Sequence, residues 1–225
     1  MSKIFRSLKI LLEEHEDPRR AAGMSAYMRN QFVYLGIPSP LRKELGKQVY
    51  QEYKSFNWDQ LSGLMLDCWS KDQREYKYAA FDYAAHFIKF LKPEHIPFFE
   101  NFIGDQSWWD TVDFIAPNLI GKTLQRYPDL VVEYAQKWNQ KALFWYPRAA
   151  LIMQLFYRDY TNFELMQNLI LSQKESKEFF IRKAAGWALR QYSKTNPTAV
   201  QDFIQSNHLH PLTVREGLKW INSRS

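Results

Sequence analysis

Phe179-Phe180-Ile181-Arg182-Lys183-Ala184-Ala185-Gly186-Trp187-Ala188-Leu189-Arg190 is the stretch on which the fold turns. Its Lys183-Ala184-Ala185 has a counterpart 35 residues earlier in Arg148-Ala149-Ala150, and another 70 residues before that in Tyr78-Ala79-Ala80. The intermediate rung falls at Asp113, in Asp113-Phe114-Ile115-Ala116. Small residues after the marked position let neighbouring helices approach closely. A period of 35 residues is enough chain for two helices and two turns, each pair burying its apolar face against the next.

The rest of the sequence agrees with this reading. Apolar residues recur at helical spacing in Ile4-Leu8-Leu11-Leu12 and Met24-Tyr27-Met28. Asp17-Pro18, Ser39-Pro40 and Asn196-Pro197 each offer a capping side chain followed by proline at a first helical position. Alternating strand patterns and Asn-Gly or Asp-Gly hairpin turns are absent. The sequence predicts an all-α chain of about eleven or twelve helices, roughly 10–18 residues each. Residues 1–225 are expected to form a single domain, an α-α superhelix (solenoid) of HEAT-like or tetratricopeptide-like pairs, about six of them.

Composition excludes several classes. One cysteine, Cys68, permits neither an intrachain disulfide nor a four-cysteine zinc site. It stands beside Trp69 on an apolar stretch and reads as core. His15, His86 and His95 lack metal-ligand spacing, and His208 and His210 read as a C-terminal loop, so no metal is expected. The most apolar stretch, Ala142 to Tyr157, is interrupted by Pro147, Arg148 and Gln154, which argues against a membrane span. Met1 to Arg20 is mixed in charge and has no signal-peptide apolar region, so a cytoplasmic protein is expected. The formal net charge is +6, but it is unevenly spread. From Leu171 to Ser225 nine basic residues face four acidic ones, a surplus of five that leaves +1 for the first 170 residues. A basic C-terminal quarter fits an anionic partner such as a phosphate backbone; on charge alone a solvated helical surface is the plainer explanation.

The period also brings chemistry together. Tyr78, Asp113, Arg148 and Lys183 should form a ladder on one face, and one turn earlier stand Arg74, Trp109, Phe144 and Phe179. Trp109 and Asp113 are i,i+4 neighbours, and Trp187 follows Lys183 by one turn. A carboxylate flanked by indoles is suited to stabilising a cation, and Arg148 one rung away is suited to holding a phosphate. The plain alternative is an inter-repeat Asp113–Arg148 salt bridge with both tryptophans as packing.

Ser107-Trp108-Trp109-Asp110-Thr111-Val112-Asp113, Arg148-Ala149-Ala150 and the 179–190 stretch together resemble the AlkD family of DNA alkylation repair glycosylases. Ala26-Tyr27-Met28-Arg29-Asn30-Gln31-Phe32, followed by Leu35-Gly36-Ile37, matches as well. The resemblance implies a HEAT-like solenoid gripping duplex DNA in its concave face. It implies excision of cationic N3- and N7-alkylated purines in base excision repair, without metal or organic cofactor and without extruding the base. It assigns catalytic roles to the positions of Trp109, Asp113, Arg148 and Trp187. DNA-binding roles are expected for Tyr27, Phe179, Phe180, Arg182, Lys183 and Arg190, of which the aromatic ones read equally well as core. The protein is expected to act as a monomer on the nucleoid. Lys183 as a Schiff-base former, making a lyase, is a weaker reading than a phosphate-contacting lysine.

Two prolines bear on these roles. Family members commonly carry a second arginine where this chain has Pro147, which puts the aim of Arg148 in question. Pro117 follows Asp113 by four residues and removes the helical donor for its carbonyl. The competing class is a helical-repeat module that binds DNA or protein with weak or no catalysis.

Overall fold

Polar side chains start several of the helices, among them the expected starts at Asp17 and Asn196. Asp17 accepts the N–H groups of Arg19 and Arg20 at 3.0 and 3.1 Å. Asn57, Asn162 and Asn196 each accept an N–H three residues on, at 2.9, 2.9 and 3.0 Å. Each bond satisfies one of the donors a helix leaves unpaired at its start. The Ser39-Pro40 start differs by one residue. The helix begins at Ser39 itself, after Pro38, and the Ser39 hydroxyl accepts from the Arg42 guanidinium instead of capping.

The computed structural model describes residues 1–224; Ser225, the last of the expected 1–225 span, lies outside the described residues. The chain forms two compact units, one of residues 1–90 and one from residue 91 onward. The first holds α1 (Lys3–Glu14), α2 (Pro18–Tyr27), α3 (Ser39–Tyr50), α4 (Trp58–Trp69) and α5 (Arg74–His86). The second holds α6 (Ile96–Gly104), α7 (Trp109–Phe114), α8 (Pro128–Asn139), α9 (Trp145–Ile152), α10 (Phe163–Ser172), α11 (Phe179–Tyr192), α12 (Pro197–Ser206) and α13 (Pro211–Asn222). Among the described residues there is no strand, and no helix is long and apolar enough to cross a membrane. Apart from α7 the helices run 8–14 residues.

In the first unit α1 buries Ile4, Phe5, Leu8 and Leu12, and α5 packs against both α3 and α4. Cys68 lies in this core, fully buried. The Leu35-Gly36-Ile37 motif has a physical explanation here. Buried Glu75, in the first turn of α5, receives the backbone N–H groups of Leu35, Gly36 and Ile37 at 2.9, 2.9 and 3.2 Å. Gly36 adopts φ +89°, and a Cβ there would stand 2.0 Å from the Asp17 carbonyl oxygen, so only glycine fits.

In the second unit α7, α9, α11 and α13 pack in that order, each against the next, and α8 packs on α9. The alanine pairs sit at these contacts: Ala149, Ala150, Ala184 and Ala185 are all buried. Gly186 and Gly217 serve the α11–α13 contact; a Cβ on Gly186 would meet the Glu216 Cβ at 2.5 Å.

Candidate functional site

Trp109 is the first residue of α7 and Asp113 its fifth. The helix is started by Thr111, which is fully buried and bonds back to the Trp108 backbone, donating to its carbonyl at 3.1 Å. It stays α-helical for only six residues. From Ile115 to Gly121 the backbone widens into π turns, and it returns to α geometry at Lys122–Leu124. Pro117 accounts for the change: its ring would press on the Asp113 carbonyl in a regular helix and it has no N–H to donate. Gly121 closes the widened segment. A Cβ there would stand 2.1 Å from the Met153 carbonyl oxygen, and the Tyr157 hydroxyl donates to the Gly121 carbonyl at 2.6 Å.

Asp113 and Arg148 meet across α7 and α9. Arg148 Nε donates to Asp113 Oδ1 at 2.8 Å and Nη2 to Oδ2 at 2.7 Å, a bidentate pair. The third guanidinium nitrogen, Nη1, donates to the Phe180 carbonyl on α11. One side chain therefore ties three successive stacked helices. Pro147 does not misdirect it. It falls in the first turn of α9, where its missing N–H is one the helix does not use, and the Arg148 N–H bonds the Phe144 carbonyl at 3.0 Å.

The Arg148 side chain is 6% exposed and that of Asp113 18% exposed, so Asp113 keeps some contact with solvent while its partner is enclosed. Burial pushes the Asp113 carboxyl above the usual carboxylate value; the charge and hydrogen bonds of Arg148 pull it back, and Asp110 adds to the rise. Trp109 and Trp187 are both half-buried, and Trp187 has no ring partner among the described residues.

The remaining expected residues separate by what they touch. Phe180 is built into a ring cluster, its centroid 5.0 Å from Trp145, 5.4 Å from Trp108 and 6.1 Å from Phe144. Phe179, beside it, is 53% exposed. Arg182 Nε donates to the Ser176 carbonyl at 2.8 Å, bracing the loop before α11. Tyr27 closes α2 in the first unit and is largely exposed. His210, read as loop, caps α13 by accepting the Leu212 N–H at 3.1 Å.

Lys183 and Arg190 share one anion that the sequence reading missed. Glu216 on α13 bonds Lys183 Nζ at 2.9 Å and Arg190 Nη1 at 3.2 Å. The Lys183 hydrogen bond holds the Glu216 carboxyl below the usual value, against burial. The available signal was an acid next to a glycine, Glu216-Gly217, in an otherwise basic segment.

The model of the family described as DNA alkylation repair enzyme matches residues 8–221. The chain belongs to that family. A structure described as a predicted DNA alkylation repair enzyme from Enterococcus faecalis is 35% identical, with a TM-score of 0.86, covering 92% of this chain and 96% of its own. Two Streptococcus mutans structures, AlkD2 and smu.31, are each 18% identical over 79% of this chain with TM-scores of 0.59, and share the helical-repeat fold. They are covered over 87% and 90% of their own lengths respectively. No curated protein matches the chain. Membership of this DNA alkylation repair enzyme family fits the all-α repeat architecture and the resemblance carried by the Trp109–Asp113 and 179–190 motifs.

Proposed function

We propose that this chain is a monofunctional DNA glycosylase that releases cationic N3- and N7-alkylated purines from duplex DNA, acting as a cytoplasmic monomer on the nucleoid. The observation that carries the reading is Asp113, whose two carboxylate oxygens are held by Arg148 while its side chain stays 18% exposed, with Trp109 on its own helix and Trp187, an indole without a ring partner among the described residues, on α11.

Alkylation makes the purine a good leaving group. As the glycosidic C–N bond breaks, its electron pair neutralises the purine and leaves oxocarbenium charge on the deoxyribose. The Asp113 carboxylate stabilises that charge electrostatically as it develops, and indole faces add cation–π attraction. Water then adds at the sugar carbon with Asp113 orienting it, and its proton leaves to the carboxylate or to solvent. Arg148 is a positioning residue on this reading: its three bonded nitrogens fix where the carboxylate points and offset the burial that favours its neutral form. Lys183 and Arg190, aligned two turns apart by Glu216, supply cations for phosphate.

The enclosed Asp113–Arg148 pair also fits the second reading, a DNA-binding repeat module in which the pair is only an inter-helix tie. Duplex DNA treated with N-methyl-N-nitrosourea separates the two, with free 3-methyladenine and 7-methylguanine quantified. The glycosylase reading expects release above the spontaneous rate. It also expects at least a tenfold loss in Asp113→Asn, about 1.4 kcal/mol of transition-state stabilisation, with DNA affinity retained. No release, or excision and binding falling together, supports the tie.

A further inference from the structure

The link from α9 to α10, residues 153–162, is held closed by its own side chains. Buried Gln154 accepts the Asn162 N–H at 2.8 Å and donates to the Asn162 carbonyl at 3.3 Å. Tyr157, also buried, is pinned to Gly121 through its hydroxyl. Between these anchors Arg158 takes φ +53°, a left-handed conformation that a residue with a Cβ keeps only where its surroundings impose it. The loop leaves Arg158 exposed, together with Tyr160 at 83% and Phe156 at 42% exposure.

Arg158 borders two cavities at once, at the C-terminal ends of α9 and α11. The smaller, about 320 Å³, has Arg158, Lys194, Thr161, Thr195 and Gln191 among its walls and no acidic residue. The larger, about 570 Å³, adds Lys122, Gln125, Phe156 and Tyr160 to Arg158 and Gln191, with Asp159 as its one acid. Among the described residues no hydrogen bond, ion pair or ring contact engages the Arg158 side chain. Lys194 meets a neutral atom, Gln191 Oε1 at 2.8 Å. Lys122 meets Asn118 Oδ1 at 3.3 Å and lies 5.3 Å from the centre of the Phe156 ring. Three cations thus border one two-lobed cleft, and none of them forms an ion pair among the described residues.

The two lobes suit different halves of one ligand, and both volumes lie in the range of small-molecule sites. In the smaller, a guanidinium fork, an ammonium and two hydroxyls form the donor set of a phosphate monoester. In the larger, two exposed rings offer stacking faces, and the Gln125 carboxamide and the Gln191 amino group offer polar contacts to a planar heterocycle. Because Arg158 and Gln191 border both lobes, one molecule carrying both groups spans them.

We propose that this cleft is a binding site for a free mononucleotide, its phosphate on Arg158 and Lys194 and its base against Tyr160 and Phe156. Arg148 lies in the first half of α9, whereas the cleft opens beyond Ile152, the last residue of that helix. The proposal uses no residue of the repair reading and does not rest on it.

Isothermal titration calorimetry of the whole chain with 2′-deoxyadenosine 5′-monophosphate tests it, with deoxyadenosine and inorganic phosphate as half-ligands. The nucleotide binds one to one, and each half-ligand binds about tenfold or more weakly because it fills a single lobe. Arg158→Gln costs about tenfold or more in nucleotide affinity, the loss of a charge-assisted contact. Tyr160→Ala costs about fivefold or more, the loss of a stacking face. Both side chains are exposed, and a thermal melt checks that the variants fold. Arg190→Gln, a cation outside the cleft, keeps the wild-type affinity. On the unaltered chain the nucleotide shields Arg158 from phenylglyoxal while exposed Arg6 stays reactive. Release of alkylated purines is the same in Arg158→Gln as in wild type. No saturable binding by about 5 mM nucleotide, a nucleoside as tight as the nucleotide, or wild-type affinity in Arg158→Gln overturns the proposal. A 5′-phosphorylated oligonucleotide that binds through Arg158 more tightly than the mononucleotide also overturns it, and so does excision falling together with nucleotide binding. A wild type that binds nucleotide but releases no base sinks the repair reading and leaves this site standing.

Discussion

Replacing Arg148 by Met keeps the length and apolar packing of the side chain and strands the Asp113 carboxylate. Removing one partner of a buried ion pair costs about 3–5 kcal/mol. The 18% exposure of Asp113 lets water recover part of that, while the lost charge-assisted bond to the Phe180 carbonyl adds to it. The expected deficit at pH 7 is about 3 kcal/mol. Urea unfolding followed by tryptophan fluorescence reads it directly, because six of the eight tryptophans belong to the second unit. Adding Asp113→Asn should return about 2 kcal/mol of the deficit, the coupling expected for residues in direct contact.

The pH dependence has a definite sign. Burial already raises the Asp113 carboxyl, and the variant loses the Arg148 charge that opposes the rise. The folded variant then binds the Asp113 proton more tightly than the unfolded chain, so its stability falls as pH rises through that window. The deficit is therefore largest at neutral pH and shrinks in acid. For the same reason the acid limb of base release moves to higher pH in any Arg148 variant that retains activity. A deficit under about 1 kcal/mol at pH 7, equal in acid and unrelieved by Asp113→Asn, would refute the reasoning.

Two further substitutions probe neighbouring features. Gly121→Ala drives a Cβ into the Met153 carbonyl, which is backbone and cannot swing away, so a loss of about 1–3 kcal/mol is expected by urea midpoint. Glu216→Gln releases Lys183 and Arg190 and should tighten DNA binding with a steeper salt slope. Because the folded Glu216 carboxyl is held low, its stabilisation is present above the unfolded value near 4.3 and fades as pH falls through the folded one. The variant's stability deficit should therefore vanish in acid, and one that persisted unchanged would place the effect in packing.

What the sequence discloses follows from what is periodic. The alanine pairs mark where α9 and α11 touch their neighbours, and a 35-residue register places Asp113 one rung from Arg148, where the two form their pair. Pro117 announces a disturbed helix, though the form it takes, seven residues of π turns closed by Gly121, depends on a Met153 carbonyl that no local pattern reveals. Glu216 escapes the register because α13 enters with its own capped start at His210, and one of four acids among nine basic residues reads as a solvated charge until its partners are seen. Lys43, Lys47 and Lys54 escape for the opposite reason: averaging over 170 residues returns +1 and hides three like charges gathered on one groove of the first unit.

The turn at residues 33–37 has a consequence for how this chain tolerates change. It lies in the longest link between helices in the first unit, between Tyr27 and Ser39, where insertions would ordinarily accumulate. Yet Glu75 receives three consecutive amides from it, Arg74 donates its own amide to the Val33 carbonyl at 3.0 Å, and Gly36 is pressed on Asp17. One added residue would slip all of these partners at once and leave a buried carboxylate facing nothing. A circular permutation or affinity tag opened here would meet core-like intolerance in what a diagram draws as a loop.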